Sequence, residues 1–313
     1  MTSLRDTVAD ILVDIGAKDD KLVVVTADVG GSTRAMKFKQ KMPCRYYNVG
    51  IAEQDMINFA AGLSAVGLKP VVMAFAMFLM RAWEMMRNTV SRMNLNLKII
   101  ATHAGFSDSD DGSSHQALED IALMRILPNM SVVVPADSAD VKRSLPTIIE
   151  DVRGPVYFRI GRDYAPDVTN ELDYKFSLGK SYVIEDGEDL TIIGVGITLW
   201  DALVAAKELK KKGIRASVIN LFSVKPLDKE LLLRYAQKTG RFIVVEEHSV
   251  HGGAGSAIAE LLISNYPIPT KIIGATTFGR SARSQRELLE YYGISYEHIV
   301  NEAVKLVNKE VGN

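Results

Sequence analysis

The chain has 313 residues, of which 47% are hydrophobic and 24% are charged, and its formal net charge at pH 7 is −1. This length allows two globular domains, and the balanced charge excludes a global basic field for nucleic acid. The sequence has no apolar run long enough to span a membrane and no apolar signal core near its N-terminus. One cysteine, Cys44, excludes an internal disulfide and indicates a cytoplasmic location.

Helical and strand patterns alternate along residues 1–165. The first pattern predicts a helix from Leu4 to Ile15, with Ser3 as its N-cap. The strands predicted after it lie at 22–27, 46–49, 71–74, 97–101, 131–134 and 156–160. The helices predicted between them lie at 53–66, 118–125 and 138–149, and one further helix follows the strand at 71–74 and runs through residue 86. Short apolar strands between helices are typical of a doubly wound, mostly parallel sheet.

The alternation stops between residues 163 and 187, a stretch that carries Pro166, Asn170, Gly179 and Gly187. We place a domain linker at 166–187 and a second, smaller α/β domain at 188–313. The second domain is predicted to contain strands at 190–195, 216–221, 242–245 and 271–273, helices at 199–212, 228–238 and 253–263, and two C-terminal helices. The predicted fold class is therefore α/β, with two doubly wound, mostly parallel-sheet domains.

Sites in open α/β sheets collect at the carboxyl ends of the strands, and four segments of the first domain follow strands in this way. They are Asp28–Ser32, Glu53, His103–His115 and Arg162. Glu53 has two interpretations. It is either an ordinary first-turn acid that complements a helix dipole or a poorly solvated functional carboxylate between apolar neighbours.

The loop from His103 to His115 packs two imidazoles and three carboxylates into thirteen residues. A metal site is one interpretation, but the spacing fits no standard zinc pattern and no thiol is nearby. A simple solvated loop is the second interpretation. We favour the third, polar recognition of a hydroxylated substrate.

Arginine supplies the paired donors that phosphate prefers, and the candidate anion binders are Arg5, Arg81, Arg159 and Arg162. In the second domain, the glycines after His251 follow a strand and open a helix, but their spacing fails the dinucleotide pattern. We therefore interpret them as close strand-to-helix packing. His248 and His251 are a weak metal signal.

Several segments together resemble the C-terminal two domains of transketolase. They are Ile51-Ala52-Glu53-Gln54-Asp55-Met56, Phe75-Ala76-Met77-Phe78-Leu79-Met80-Arg81-Ala82, Thr102-His103-Ala104-Gly105 and the run from Asp110 to Asp120. The resemblance extends in order from Arg5 to Thr276-Thr277-Phe278-Gly279, which is nearly the whole chain. It identifies residues 1–165 as a pyrimidine-binding domain for thiamine diphosphate and residues 188–313 as a transketolase C-terminal domain.

The resemblance also implies a role for individual residues. Glu53 and His115 are the expected catalytic residues, because Glu53 matches the glutamate that hydrogen-bonds N1′ of the cofactor's aminopyrimidine ring. The expected cofactor-binding residues are Asp28, Glu53, Phe75 and Phe78. The expected substrate-binding residues are Arg5, Ser32, His103 and Arg162 for a sugar phosphate group, and Asp111 and His115 for sugar hydroxyls. No residue of this chain is expected to bind a metal, and the role of Arg81 stays open.

The sequence departs from the family in two places. It has Asp110-Asp111-Gly112-Ser113-Ser114-His115 where the family often has Glu-Asp-Gly-Pro-Thr-His, and it lacks the family's N-terminal Gly-Asp-Gly segment. That segment belongs to the site for the diphosphate and its metal ion. We therefore expect a separate N-terminal subunit to hold the diphosphate with Mg²⁺ or Ca²⁺, in an assembly of two such subunits and two of these chains.

These expectations describe the C-terminal subunit of a split transketolase of the pentose phosphate pathway, which moves a two-carbon ketol group between sugar phosphates. Two alternatives use the same cofactor, the beta chain of a 2-oxoacid dehydrogenase and a deoxyxylulose-phosphate-synthase-like enzyme. A third is a catalytically silent regulatory subunit. The sequence leaves the identity of the sugars open.

Overall fold

A computed structural model describes residues 2–162 and 164–308, which form two main sheets flanked by helices. The elements of the first half are β1 (Thr2–Ser3), α1 (Leu4–Gly16), β2 (Leu22–Thr26), α2 (Met36–Lys41), β3 (Tyr46–Asn48), α3 (Glu53–Ala65), β4 (Lys69–Phe75), α4 (Ala76–Leu79), α5 (Trp83–Met85), β5 (Lys98–Thr102), α6 (Asp120–Arg125), β6 (Ser131–Val133), α7 (Ser138–Glu150), β7 (Val156–Arg159) and β8 (Tyr164–Ala165). The second half contains β9 (Tyr182–Glu185), β10 (Leu190–Val195), α8 (Leu199–Lys211), β11 (Ala216–Asn220), β12 (Ser223–Lys225), α9 (Lys229–Thr239), β13 (Phe242–Ser249), α10 (Ala254–Asn265), β14 (Thr270–Ala275), α11 (Gln285–Tyr291) and α12 (Tyr296–Asn308).

The first sheet has the strand order β12-β6-β7-β5-β4-β2-β3, and the second has the order β14-β13-β10-β11-β9. The strand pairs are parallel except at one edge of each sheet, where β12 and β9 run antiparallel to their neighbours. Both sheets are thus mostly parallel and covered by helices, which confirms the predicted fold class. No helix within the described residues is both long and apolar enough to cross a membrane.

The sequence pattern at the N-terminus explains how the first helix forms. Ser3 caps α1 by accepting a hydrogen bond from the backbone amide of Asp6 over 3.3 Å. Leu4, Val8 and Leu12 then fall on one buried face of α1 and pack into the apolar cluster on that side of the first sheet. This packing fixes the first turn of α1, which carries Arg5.

Several elements differ from the sequence prediction. The short strands β1 and β8 and the helix α2 were not predicted. The strand β12 comes from the second half of the chain but joins the first sheet, and β9 lies within residues assigned to the linker. The helix predicted after β4 is broken into α4, a 3₁₀ turn at Met80–Ala82, α5 and a π-helical turn at Met86–Ser91. These interruptions lie in the segment that carries Phe78 and Arg81.

Candidate active site

Loops after four parallel strands of the first sheet, together with the start of α1, enclose one polar cavity. The cavity has a volume of about 430 Å³. It is lined by Arg5, Gly31, Ser32, Arg34, Phe75, His103, Asp108, Asp111 and Arg162. The structure therefore brings together five of the predicted substrate-binding residues and one predicted cofactor-binding residue. It also shows that the carboxyl edge of the sheet is where the polar groups converge.

Arg5 and His103 form a hydrogen-bonded pair at the base of this cavity. Nη1 of Arg5 donates to the backbone oxygen of Ser32 over 2.6 Å and lies 3.4 Å from Nε2 of His103. The hydroxyl of Thr102 lies 3.2 Å from the backbone oxygen of Ala74 and 2.8 Å from Nδ1 of His103. Because Thr102 has one proton to give and Ala74 can only accept, Nδ1 of His103 donates and Nε2 accepts from Arg5.

The environment of His103 keeps this imidazole neutral. Burial, reinforced by the positive charges of Arg5 and Arg162, lowers the pKa of His103 to about 3. The residue also adopts a backbone φ of 55°, which is unusual for a side chain other than glycine. His103 is thus a strained, neutral hydrogen-bonding group that keeps Arg5 in place as the cationic member of the pair.

Four rings form a continuous aromatic cluster beside the cavity. Phe75 and Phe78 are stacked with centroids 4.9 Å apart and an interplanar angle of 4°. The His103 ring stacks on Phe75 with a centroid distance of 3.5 Å, and His115 meets Phe78 edge to face at 5.5 Å. This stack of rings, here called the aromatic wall, is of the kind that suits a planar heteroaromatic ring.

Arg162, which also lines the cavity, is flanked by two carboxylates. Its Nη1 hydrogen-bonds Oδ1 of Asp108 and lies 4.0 Å from Oδ2 of Asp111. Burial raises the pKa of Asp108, Arg162 opposes this effect, and the neighbouring Asp111 reinforces it. The two carboxylates thus offset part of the positive charge that Arg5 and Arg162 bring to the cavity.

Glu53 is the first residue of α3 and is buried, with 8% of its surface exposed. Its Oε2 lies 4.0 Å from Nε of Arg81, whose backbone oxygen accepts a 3.2 Å hydrogen bond from the side chain of Gln54. Arg81 lies three residues after Phe78, so the aromatic wall and the Glu53 carboxylate are connected through one short segment. The burial of Glu53 contrasts with the exposure of Asp55, the other acid in the first turn of this helix.

Asp28 and Asn48 connect the ends of β2 and β3. The amide of Asn48 donates to Oδ1 of Asp28 over 3.0 Å and accepts from the Asp28 backbone over 2.9 Å. Asp28 has a φ of 60°, and its side chain is exposed next to the sheet edge. Neither Asp28 nor Glu53 lines the polar cavity, so the predicted cofactor-binding residues extend beyond it.

Three candidates from the sequence take other positions. Arg159 was an anion-binding candidate, and this prediction is wrong. Its guanidinium is buried and donates to Asp120 over 2.8 Å and to the backbone oxygen of Glu247 over 2.9 Å. His248 is buried, with Nδ1 2.7 Å from the Ser249 oxygen, and His251 is exposed. Over residues 2–162 and 164–308, no group of three or more His, Cys, Asp or Glu side chains is arranged to hold a metal ion.

Sequence reasoning did not single out Asp108 or Glu247. Asp108 was counted only as one of three acids in a polar loop, although it is fully buried against Arg162. Glu247 lies in the second domain and accepts a 2.8 Å hydrogen bond from the backbone amide of Phe106, which is 141 positions away in sequence. No local pattern indicates a contact across such a separation.

Comparisons with known proteins agree with this architecture. Residues 1–167 match the family model "Transketolase, pyrimidine binding domain", and residues 179–299 match "Transketolase, C-terminal domain". The chain therefore belongs to the transketolase family. A solved structure described as "Split gene transketolase, inactive beta4 tetramer" is 42% identical, with a TM-score of 0.88 over 97% of this chain and 98% of that one.

Two curated relatives have nearly the same extent as this chain. The 6-deoxy-6-sulfo-D-fructose transketolase subunit SqwH of a Clostridium species is 37% identical over 98% of this chain and 95% of the relative. An apulose-4-phosphate transketolase subunit of Phocaeicola vulgatus is 36% identical over 99% of both chains. Both are named as subunits, and their names specify different sugars.

Proposed function

We propose that this chain is the C-terminal subunit of a split transketolase and transfers a two-carbon ketol group between ketose and aldose phosphates. The observation that carries the proposal is the convergence of a flat aromatic wall and an arginine-lined cavity at one sheet edge, with Phe75 belonging to both. The relatives that match the chain over nearly their whole length are transketolase subunits, which supports the same assignment.

The residues at the sheet edge fit the pyrimidine end of thiamine diphosphate. The parallel rings of Phe75 and Phe78 would hold a planar ring, with Asp28 near it, and the buried Glu53 carboxylate would hold a proton at the ring nitrogen N1′. When bound, the cofactor supplies the nucleophilic carbon and the electron sink for carbon–carbon cleavage. This chain then contributes proton control and the exclusion of water at that ring.

The cavity beside the wall fits a sugar phosphate. Arg5 and Arg162 would bind the phosphate, with Ser32 and the neutral His103 holding Arg5 in place. Asp111 and His115 would hydrogen-bond hydroxyls of the sugar, and His115 would also take part in proton transfer. These residues fix the orientation of the sugar, which is the main contribution that binding makes to such a reaction.

The remainder of the active site is proposed to come from a second, N-terminal type of transketolase subunit. That subunit would hold the diphosphate and its Mg²⁺ or Ca²⁺, since a diphosphate requires a divalent cation and additional donors. We propose an assembly of two such subunits with two copies of this chain, located in the cytoplasm. The subunit names of two relatives support a divided enzyme.

The proposal is tested by producing the chain together with an N-terminal transketolase subunit and adding thiamine diphosphate and Mg²⁺. We expect ketol transfer from a ketose phosphate to an aldose phosphate, and no turnover by either chain alone. Decarboxylation of pyruvate without ketol transfer would instead favour a 2-oxoacid dehydrogenase or a deoxyxylulose-phosphate-synthase-like enzyme. Absence of both reactions in an assembled, cofactor-loaded complex would favour a silent subunit.

A further inference from the structure

The loop of residues 103–117, here called the substrate loop, has two faces. One face carries His103, Asp108 and Asp111 into the polar cavity. The other face is in contact with the second domain through hydrogen bonds and a ring stack, in which Phe106 and Tyr292 lie 4.6 Å apart. The conformation of a recognition loop is therefore set partly by a domain that contributes no lining residue to the cavity.

Glu247, in β13, is the buried centre of this contact. Its Oε1 accepts a 2.8 Å hydrogen bond from the backbone amide of Phe106 and a 2.5 Å hydrogen bond from the side chain of Gln285. Gly105 has a φ of 63°, and a Cβ added there would lie 2.3 Å from the Glu247 carboxyl carbon. The close approach requires glycine at this position, so the loop backbone is seated directly on the carboxylate.

The other end of the loop is held in the same way. Nε2 of Gln116 donates to the backbone oxygens of Arg280, over 2.9 Å, and Asp108, over 3.2 Å. The backbone amide of Ala282 donates to the oxygen of Ser109 over 2.9 Å. Together these contacts connect residues on both sides of Asp108 and Asp111 to a segment of the second domain.

Glu247 is itself anchored to the first sheet. Nη2 of Arg159 donates to its backbone oxygen over 2.9 Å, while Nε of Arg159 donates to the buried Asp120 over 2.8 Å. The carboxylate is thus positioned relative to the strand β7, which leads into Arg162. A displacement of Glu247 would therefore shift the substrate loop relative to Arg162.

We propose that Glu247 is a positioning residue of the second domain, which fixes the substrate loop so that its polar side chains face the sugar. Its effect on catalysis rests on the proposed function, whereas its effect on the loop does not. Glu247 acts through the Phe106 amide and Gly105 and does not itself touch the cavity. Rigid support of this kind preorganises recognition groups and reduces the cost of ordering them on binding.

The structural part of the proposal is tested on the chain alone by hydrogen–deuterium exchange of peptides spanning residues 103–117. Glu247→Ala should speed exchange at the Phe106 amide at least tenfold, while Glu247→Gln, which keeps an acceptor, should stay within threefold of wild type. The matched control is Glu246→Gln. This neighbouring buried acid binds the amides of Ala254 and Gly255, at the start of α10.

The proposal is overturned if Glu247→Ala leaves exchange at Phe106 unchanged, or if the Glu246 control speeds it equally. Should Glu247→Ala fail to fold, Gln285→Ala removes the side chain that holds Oε1 of Glu247. That variant should speed exchange at Phe106 at least threefold, and unchanged exchange there would equally overturn the proposal.

The catalytic part is tested in the cofactor-loaded complex with the N-terminal subunit. Glu247→Ala should raise KM for the ketose at least tenfold with less than a threefold change in kcat, and Glu247→Gln should restore KM to within threefold. An unchanged KM in Glu247→Ala would show that Glu247 has no effect on catalysis. If the wild-type complex shows no ketol transfer, the proposed function fails, and the exchange experiment still decides whether Glu247 positions the loop.

Discussion

The rings of Phe75 and His103 lie nearly parallel, with centroids 3.5 Å apart and an interplanar angle of 13°. Phe75 also stacks on Phe78, so a single column of rings forms the aromatic wall and one side of the polar cavity. In the proposed enzyme, this column would join the site for the pyrimidine to the site for the sugar phosphate. A displacement of one ring would therefore affect both sites.

His103 is predicted to remain neutral throughout the physiological pH range. Burial and the adjacent arginines lower its pKa to about 3, so the imidazole does not gain a proton between pH 5 and pH 8. The imidazole resonance of His103 in an NMR titration of the chain should stay constant over this range. Exposed His251 is the internal comparison. A midpoint for His103 between pH 5 and pH 8 would contradict the arrangement.

Arg5→Gln should weaken binding of phosphorylated sugars. The substitution removes a charged donor from the cavity, and the loss of one charge-assisted contact corresponds to about 2 kcal/mol, or roughly a 30-fold increase in KM. KM for a ketose without phosphate should change much less. Arg283→Gln, at an exposed position outside the cavity lining, is the control. An equal change in KM for both ketoses would argue against a phosphate role for Arg5.

Asp108→Asn should strengthen the binding of a phosphate group. Asparagine keeps an acceptor for Arg162 but removes a negative charge beside it, and we expect about tenfold tighter binding, or about 1.4 kcal/mol. Calorimetric titration of the chain with inorganic phosphate measures the change, with Asp110→Asn as the exposed control in the same loop. Weaker binding by Asp108→Asn would show that Asp108 is needed to orient Arg162.

Glu247 should make thermal stability depend on pH. Burial raises its pKa to about 7 from an ordinary value of 4.5, against the opposing charge of Arg159 and with support from Asp120. The folded state therefore binds this proton more tightly than the unfolded state does. As a result, the contribution of Glu247 to the free energy of unfolding is largest at low pH and is lost as pH rises towards 7. The full effect is at most about 3 kcal/mol.

Thermal melts of wild type and Glu247→Gln at pH 5 and pH 8 measure this contribution, because glutamine does not titrate. The melting temperature of wild type, relative to Glu247→Gln, should be higher at pH 5 than at pH 8. A difference that is the same at both pH values would mean that Glu247 has similar proton affinity in the folded and unfolded chain.

Much of the fold follows from local sequence patterns. The β-branched run at β2 forms a fully buried strand, and Ser3 caps α1 as predicted. The strands β9 and β12 were missed because each is a short edge strand whose position depends on partners elsewhere in the chain. β12 in particular pairs with β6 across the domain boundary, and no nearby residue signals that pairing.

The candidate site was predictable to a similar extent. The rule that sites collect at the carboxyl ends of strands selected Ser32, His103 and Arg162. These residues line one cavity together with Arg5. The separate argument that arginines bind anions also named Arg159, because the sequence does not reveal that Arg159 faces the buried Asp120. Side-chain direction at the end of a strand, and contacts such as that between Glu247 and Phe106, require the tertiary structure.

The most direct test of the central claim is the turnover of Glu53→Gln in the cofactor-loaded complex with an N-terminal subunit. The exposed Asp55→Asn, in the same first turn of α3, controls for an effect on the helix dipole. If Glu53 controls the proton of the pyrimidine ring, ketol transfer should fall by about 10²- to 10⁴-fold in Glu53→Gln and stay near wild type in Asp55→Asn. Wild-type turnover by Glu53→Gln would contradict the account.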